Sequence, residues 1–413
     1  MIFIILYKFK YYIKFEIIMF IFLNFMKNIV KITIDSDEKS LLKVIKSKEN
    51  PQIQNKEQMK SGSTSFFIYL IIILFCILLI FYFLYSIKKP ILPKENKAND
   101  FKGVNEIFND SIIEPYIKSQ KDFCENPNKY INQKYEDEIF LHDVKINELK
   151  YKMYIFKSTN FILNEFNLYG AYEVPLSNNI IQALKFYGEN KNISNNKDIF
   201  MLDIGGNIGW YPSLLGRYNY TILSFEPFER NYYVAKKNYC YLNNNSNVII
   251  INKGLGSKEK KCHYFNQLNN EGNGMVICDD NKHTLNDTGL QFIKDSDVEI
   301  TTLDTFMPYL LNKKISLMKI DVEGYELEVL NGGKELINKY HVPFVTLEFS
   351  PTYLKEIGSD PRQLAQFFVD NGYKISLDGF LNKNYISIDE LLNKAGFQVN
   401  CYFIHDSIIL QIP

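Results

Sequence analysis

The sequence predicts an α/β protein of Rossmann-like class, with a mostly parallel sheet covered by helices on both faces, preceded by a single transmembrane helix. Two observations carry the fold class. Five short, β-branched apolar runs follow residue 198, and helix-like stretches lie between most of them. Short buried strands alternating with helices imply a parallel sheet packed on both faces. The membrane helix rests on a third observation: the 22 residues from Phe66 to Ile87 contain no charge. At about 1.5 Å rise per residue, such a helix spans the roughly 30 Å hydrocarbon core.

Composition narrows the function classes. Of 413 residues, 46% are hydrophobic and 23% charged, which excludes a mainly disordered chain. Basic and acidic residues are both 47, so bulk charge gives no support to nucleic-acid binding.

Residues 1–65 read as a polar tail with an apolar first segment. Lys8, Lys10, Lys14 and Glu16 interrupt that segment, as in an interfacial helix or a poor signal sequence. Residues 66–87 form the membrane helix, since a helix apolar on every face is rare in a soluble core. Its orientation is undecided by the positive-inside rule: Lys46, Lys48, Lys56 and Lys60 precede it, and Lys88, Lys89, Lys94, Lys97 and Lys102 follow. Glycosylation sequons begin at Asn109, Asn192, Asn219, Asn244 and Asn286, all after the helix, which suits a lumenal C-terminal part. Residues 88–100, with two prolines and dense charge, form a linker. Residues 101–197 are an N-terminal extension of the domain that follows. Their aromatic stretch 151–172 reads as a packing helix or hairpin, with a lid or substrate wall as the alternative. The polar stretch 257–297 reads as a hairpin with a mobile loop.

Six cysteines (Cys76, Cys124, Cys240, Cys262, Cys278, Cys401) show no C-x-x-C pair and no neighbouring histidines at metal-ligand spacing. No structural zinc site is expected. With Cys76 in the apolar run, the other five cannot all pair, and no disulfide scaffold is expected.

Within residues 198–413, strands are expected at 199–204, 221–226, 247–252, 316–321 and 343–349, and helices at 209–218, 228–243, 324–338 and 360–371. An open α/β sheet binds its ligand at the carboxyl ends of its strands. The first strand ends in Asp203-Ile204-Gly205-Gly206-Asn207-Ile208-Gly209, where glycines permit a tight turn and close approach of backbone N–H groups to a ligand. A plain strand-to-helix turn is the bland alternative. Glu226-Pro227 ends the second strand, and an acid there commonly accepts both hydroxyls of an adenosine ribose. Together they argue for a nucleoside cofactor. Asp203 suits an ammonium partner, directly or through water. The glycine spacing is not G-x-G-x-x-G and no P-loop lysine follows.

Asp321 ends the fourth strand, Glu323 follows two residues later and Glu348 sits near the end of the fifth, so all three are candidates for the reaction centre. Alternation places Asp321 and Glu323 on one side if strand geometry persists that far. The alternatives are helix-dipole partners for the first two and a buried, paired acid for Glu348. The trio could bind a divalent cation, but the spacing demands none and no metal is expected. Asp304 is expected to cap the helix after it. His142, His263, His283, His341 and His405 read as core or surface residues.

The runs DIGGNIGWY, FEP, TTLDTF, LMKIDVEGYELEVLNG and VTLEFSP closely resemble, in order and spacing, the FkbM family of S-adenosylmethionine-dependent methyltransferases over about residues 198–350. Gly206 stands where that family usually has Ala, and Pro212 where it often has Thr. The resemblance implies a seven-stranded class I methyltransferase fold, with last strands at 373–377 and 401–409. It implies S-adenosylmethionine as cofactor and an oxygen of a sugar, lipid-linked glycan or other small hydroxylated molecule as acceptor. The rival readings are a catalytically inactive binding or scaffold protein of the same fold, and an NAD-dependent oxidoreductase.

Overall fold

Strand β1 (Ile139–Ile146) turns back on β2 (Leu149–Phe156) as an antiparallel hairpin, with Asn147 supplying the positive φ of 50° that the tight turn requires. These strands belong to a computed structural model that describes residues 111–412, except 158–159, 243–246, 268–269, 279–291 and 312. The apolar run 66–87, the tail and the linker lie outside the described residues. Among the described residues, no helix is long and apolar enough to cross a membrane.

The chain continues with β3 (Phe200–Ile204), β4 (Thr221–Phe225), β5 (Val248–Ile251), β6 (Gly254–Leu255), β7 (Lys260–Gln267), β8 (Asn270–Ile277), β9 (Phe292–Thr301), β10 (Ile315–Ile320), β11 (Phe344–Phe349), β12 (Tyr373–Ser376) and β13 (Val399–His405). Seven of these form one sheet in the order β12-β13-β11-β10-β3-β4-β5. The five strands β5, β4, β3, β10 and β11 run parallel, and β13 is antiparallel to both its neighbours. This is the expected seven-stranded sheet, and all five strands read from apolar runs are present.

The continuous apolar runs follow from burial on both faces, since every residue of β3, β4, β5 and β10 is buried. Alternation sends Met201 into one core cluster, with Leu176, Ile180 and Leu214, and Leu202 into the other, with Leu330, Leu336 and Phe368. Each such side chain contributes about 1.5–3 kcal/mol of burial free energy, which fixes the strand ends where the site is built.

Two boundaries and one cap differ from expectation. The helix expected at 324–338 is two helices, Glu326–Asn331 and Lys334–Tyr340. A Cβ on Gly332 would lie 1.9 Å from the Gly256 carbonyl oxygen, so close backbone contact forces glycine at the break. The last strand ends at His405, whose side chain accepts from Ser407 N and caps the short helix Asp406–Ile409. Asp304 caps not the helix after it but the helix Lys334–Tyr340, accepting from Glu335 N at 3.1 Å and Leu336 N at 2.9 Å.

The cysteine expectation is corrected. Cys124 is bonded to Cys240, and Cys262 to Cys278. The first bridge joins the helix Glu114–Glu125 to the helix Glu229–Cys240, and the second crosses the β7/β8 hairpin. Partners separated by 116 residues are invisible to spacing arguments. The odd count still leaves Cys401, which is buried and unpaired.

Candidate functional site

A cavity of about 680 Å³ opens at the carboxyl edge of the sheet, where the topology of an open α/β fold places ligands. Its wall includes Gly205 and Asn207 after β3, Glu226 and Pro227 after β4, Asp321 and Glu323 after β10, and Glu348 of β11. Seven of the ten residues singled out from the sequence thus line one space.

The loop after β3 is held differently from expectation. Gly205 N and Gly206 N both donate to Phe225 O, at 3.0 and 2.9 Å. Asn207 N donates to Glu226 Oε2 at 2.7 Å, and Phe228 N to Glu226 Oε1 at 2.9 Å. These N–H groups are engaged by the protein rather than offered to a ligand. The glycines answer to packing: Gly205 has φ +84° and a Cβ there would lie 1.8 Å from Asp321 O, while one on Gly206 would lie 2.1 Å from Ser224 Oγ. Gly206, Gly209 and Asp203 do not line the cavity. Asp203 is fully buried and accepts from Ser224 Oγ at 2.7 Å, so direct contact with a ligand ammonium is corrected to a role beneath the loop.

Asp321, Glu323 and Glu348 do converge, each offering a carboxylate oxygen within 4.8 Å of the others. They converge for a reason other than strand alternation. β10 ends at Ile320, and Glu323 and Gly324 adopt φ of 51° and 98°. A non-glycine residue held left-handed costs about 1–2 kcal/mol and commonly marks a functional site. The turn is secured by Gly324 N donating to Glu326 Oε1 at 3.1 Å. Glu348 Oε1 accepts from Gln398 Nε2 at 2.8 Å.

Two residues escaped the sequence reading. Lys319, 4% exposed, points its Nζ to Asp321 Oδ2 at 2.9 Å and lies 5.2 Å from the centre of the Tyr211 ring. Tyr211 in turn donates to Glu173 Oε2 at 2.7 Å. A lysine inside a strand buried on both faces is costly without partners, and that was the available signal. Glu173 precedes Val174-Pro175 at a helix start and reads as an N-cap, yet its side chain makes no cap bond. Its backbone is left-handed at φ 45°, and its N donates to Glu165 Oε2 at 2.7 Å. Ile162, Glu165 and Tyr172 stand with it in the cavity wall, and Tyr264 and Val276 of the hairpin complete that side. Part of the stretch 151–172 is therefore a wall.

The electrostatics follow from this crowding. Burial would strip Lys319 of its proton, but Asp321, Asp203 and Glu173 hold it charged and push its pKa above the usual lysine value. Burial pushes Glu173 up to about 7, aided by Asp321 and opposed by Lys319. Burial pushes Glu226 up to about 7 against the two N–H donors that favour its ionised form. Glu348 is pushed up to about 9 by burial and then by Asp321 and Glu173. Burial, Glu348 and Asp321 also raise Glu323 well above the ordinary carboxylate range.

Carboxyls raised in the fold stabilise it while protonated. Their contribution is full below the unfolded value of 4.5 and is lost as pH rises through about 7 and then about 9. The unliganded protein is therefore expected to melt lower at pH 8.5 than at pH 6. A melting temperature that is flat or rising across that interval contradicts the assignment.

Residues 203–375 match the methyltransferase FkbM domain. The family resemblance read from the motifs is thus shown over this segment. Over 146 residues the chain is 29% identical to Methyltransferase 1 of Beauveria bassiana (strain ARSEF 2860), an overlap of 33% of this chain and 58% of that protein. The chain thus spans under two thirds of that curated relative. Among solved structures, monomeric WbdD is similar at TM-score 0.34 and 11% identity, over 59% of this chain and 44% of that one. The magnesium protoporphyrin IX methyltransferase ChlM from Synechocystis PCC 6803, with bound SAM, is similar at TM-score 0.30 and 9% identity, over 72% of this chain and 100% of that one. The matched segment contributes all the strand-end acids of the cavity, whereas Glu165, Tyr172 and Glu173 come from the extension before it.

Proposed function

We propose that this chain is a membrane-anchored, S-adenosylmethionine-dependent methyltransferase acting on a hydroxyl oxygen of a sugar, lipid-linked glycan or other small hydroxylated acceptor. The observation that carries it is the meeting, in one cavity, of Glu226 after β4 with the Asp321, Glu323 and Glu348 trio. The residues present fit the cofactor. Asn231 is 2% exposed, lines the cavity, and its Oδ1 has no hydrogen-bond partner within the protein, as suits a polar edge of the adenosine. The surplus of carboxylates over Lys319 and Lys253 suits a cation.

When bound, the cofactor supplies a methyl group on a positively charged sulfur. Glu226 would hold the ribose hydroxyls, and the Lys319–Asp321 pair the amino acid group. With the cofactor's positive charge beside it lowering its raised pKa, ionised Glu323 would accept the acceptor's hydroxyl proton as that oxygen takes the methyl group. Aligning the two reactants supplies most of the acceleration. The glycine spacing, which is not G-x-G-x-x-G, disfavours a nicotinamide dinucleotide.

The test is transfer of an isotopically labelled methyl group to neutral glycan or glycolipid acceptors. Label stable to mild alkali, as in an ether, is expected. Label released as methanol, as from an ester, contradicts the oxygen assignment, and no transfer by protein that binds the cofactor supports the inactive scaffold.

Anchoring rests on the uncharged run 66–87, whose transfer free energy exceeds that of surface attachment. Full-length protein is expected to stay with membranes through high salt and alkali. Its recovery in the alkaline supernatant contradicts an anchor.

A further inference from the structure

Membrane anchoring leaves open which side the catalytic domain faces, and the disulfides bear on that question independently of methyl transfer. Four of the five cysteines after the apolar run are paired, and the fifth, Cys401, is fully buried in β13. The Cys124–Cys240 bridge joins two helices, and Cys240 is exposed. A bridge so placed is open to thiol reductants and is kept in oxidising compartments, whereas cytosolic thiols remain reduced. The other bridge sits inside the hairpin that walls the cavity, with Cys262 at 0% and Cys278 at 1% exposure.

A second observation concerns the sequon Asn192-Ile193-Ser194. It occupies the turn that ends the helix Val174–Asn190, with Ile193 N donating to Gly188 O at 2.8 Å. Asn192 sits at φ 52° and both Asn192 and Ser194 are exposed. A left-handed helix end explains an asparagine there. It does not explain the serine two residues on. The other sequon within the described residues, Asn219-Tyr220-Thr221, differs. Thr221 lies in β4, 1% exposed, with its hydroxyl donating to Lys197 O at 2.6 Å, and Asn219 Oδ1 accepts from Asn247. The 17 residues of the helix separate Asn192 from the cavity residue Glu173, about 25 Å at 1.5 Å per residue. A bulky group on Asn192 leaves the cavity open.

We infer that the catalytic domain faces the oxidising, non-cytosolic side of the membrane and carries an N-linked oligosaccharide on Asn192. In that modification Asn192 Nδ2 bonds to the anomeric carbon of an oligosaccharide carried on a lipid diphosphate. The bond from that carbon to the diphosphate oxygen breaks, the lipid diphosphate leaves, and Nδ2 gives up a proton.

The experiment expresses the full-length chain in a eukaryotic cell and follows its gel mobility with and without peptide N-glycosidase. A glycosidase-sensitive shift is expected, and Asn192→Gln is expected to remove one step of it. Ser194→Ala destroys the same sequon while keeping the asparagine at its left-handed position, so a folding defect in the first variant is distinguished from loss of the glycan. Methyl transfer is expected to be unchanged in both. Alkylation of the denatured, unreduced protein is expected to reach Cys76 and Cys401 and to leave four cysteines blocked until reductant is added. A shift undiminished by both substitutions overturns Asn192 as the site. Absence of any shift, with all six thiols open to alkylation, overturns the assignment of side.

Discussion

Replacing Lys319 by methionine is expected to destabilise the unliganded protein by about 3–5 kcal/mol at pH 8, the cost of breaking a buried pair by removing one partner. Lys319 is the ammonium facing Asp321, Asp203 and Glu173, and methionine keeps most of the volume while removing the charge. The acids left behind answer by binding protons. The destabilisation is therefore expected to be smaller at pH 5, where protonation is easy, than at pH 8. Chemical denaturation at the two pH values measures both numbers. A variant within about 1 kcal/mol of the parent at pH 8, or equally destabilised at both, shows that Lys319 does not neutralise the cluster.

Glu323→Gln is expected to lower turnover by about 10²–10⁴ while leaving cofactor affinity within a few fold, the signature of losing a general base. The substitution preserves side-chain length at a left-handed backbone position, φ 51°, so the turn survives. Asp321→Asn is expected to weaken both turnover and cofactor binding, because Asp321 is tied to Lys319 at 2.9 Å. Steady-state rates and equilibrium titration of each variant separate the two roles. Near-normal turnover in Glu323→Gln removes it as the base and passes the role to Glu348 or Glu173, which share the cavity.

The sheet was legible because its strands are buried on both faces and so appear as unbroken apolar runs. The acids at the strand ends were legible because topology fixes where a parallel sheet presents its chemistry. Asp321 and Glu323 were correctly brought together on an incorrect ground: the chain leaves strand geometry at Ile320, and a left-handed turn, not alternation, brings in Glu323. Lys319 was hidden inside an apolar strand, its three carboxylate partners scattered over the chain. Glu173 was hidden because an acid before a proline at a helix start has an ordinary explanation, which only the absence of a cap bond removes. The Cys124–Cys240 bridge was out of reach for the same reason as the core of the site: pairing across 116 residues is a property of the fold, not of the spacing, whereas Cys262 and Cys278 lie only 16 residues apart and pair because the hairpin brings them together.

The central claim is that the cavity between Glu226 and the Asp321 cluster holds S-adenosylmethionine. Calorimetric titration of the purified protein with S-adenosylmethionine, and separately with NAD, tests it most directly. Glu226 ties the two loops through Asn207 N and Phe228 N, so Glu226→Gln, which keeps one acceptor oxygen, is the informative variant. Saturable binding of one S-adenosylmethionine per chain is expected, with no binding of NAD. The variant is expected to bind at least about tenfold more weakly, corresponding to the loss of one charge-assisted hydrogen bond of about 1.5–3 kcal/mol. Binding of NAD in place of S-adenosylmethionine, or unchanged affinity in the folded variant, contradicts the account.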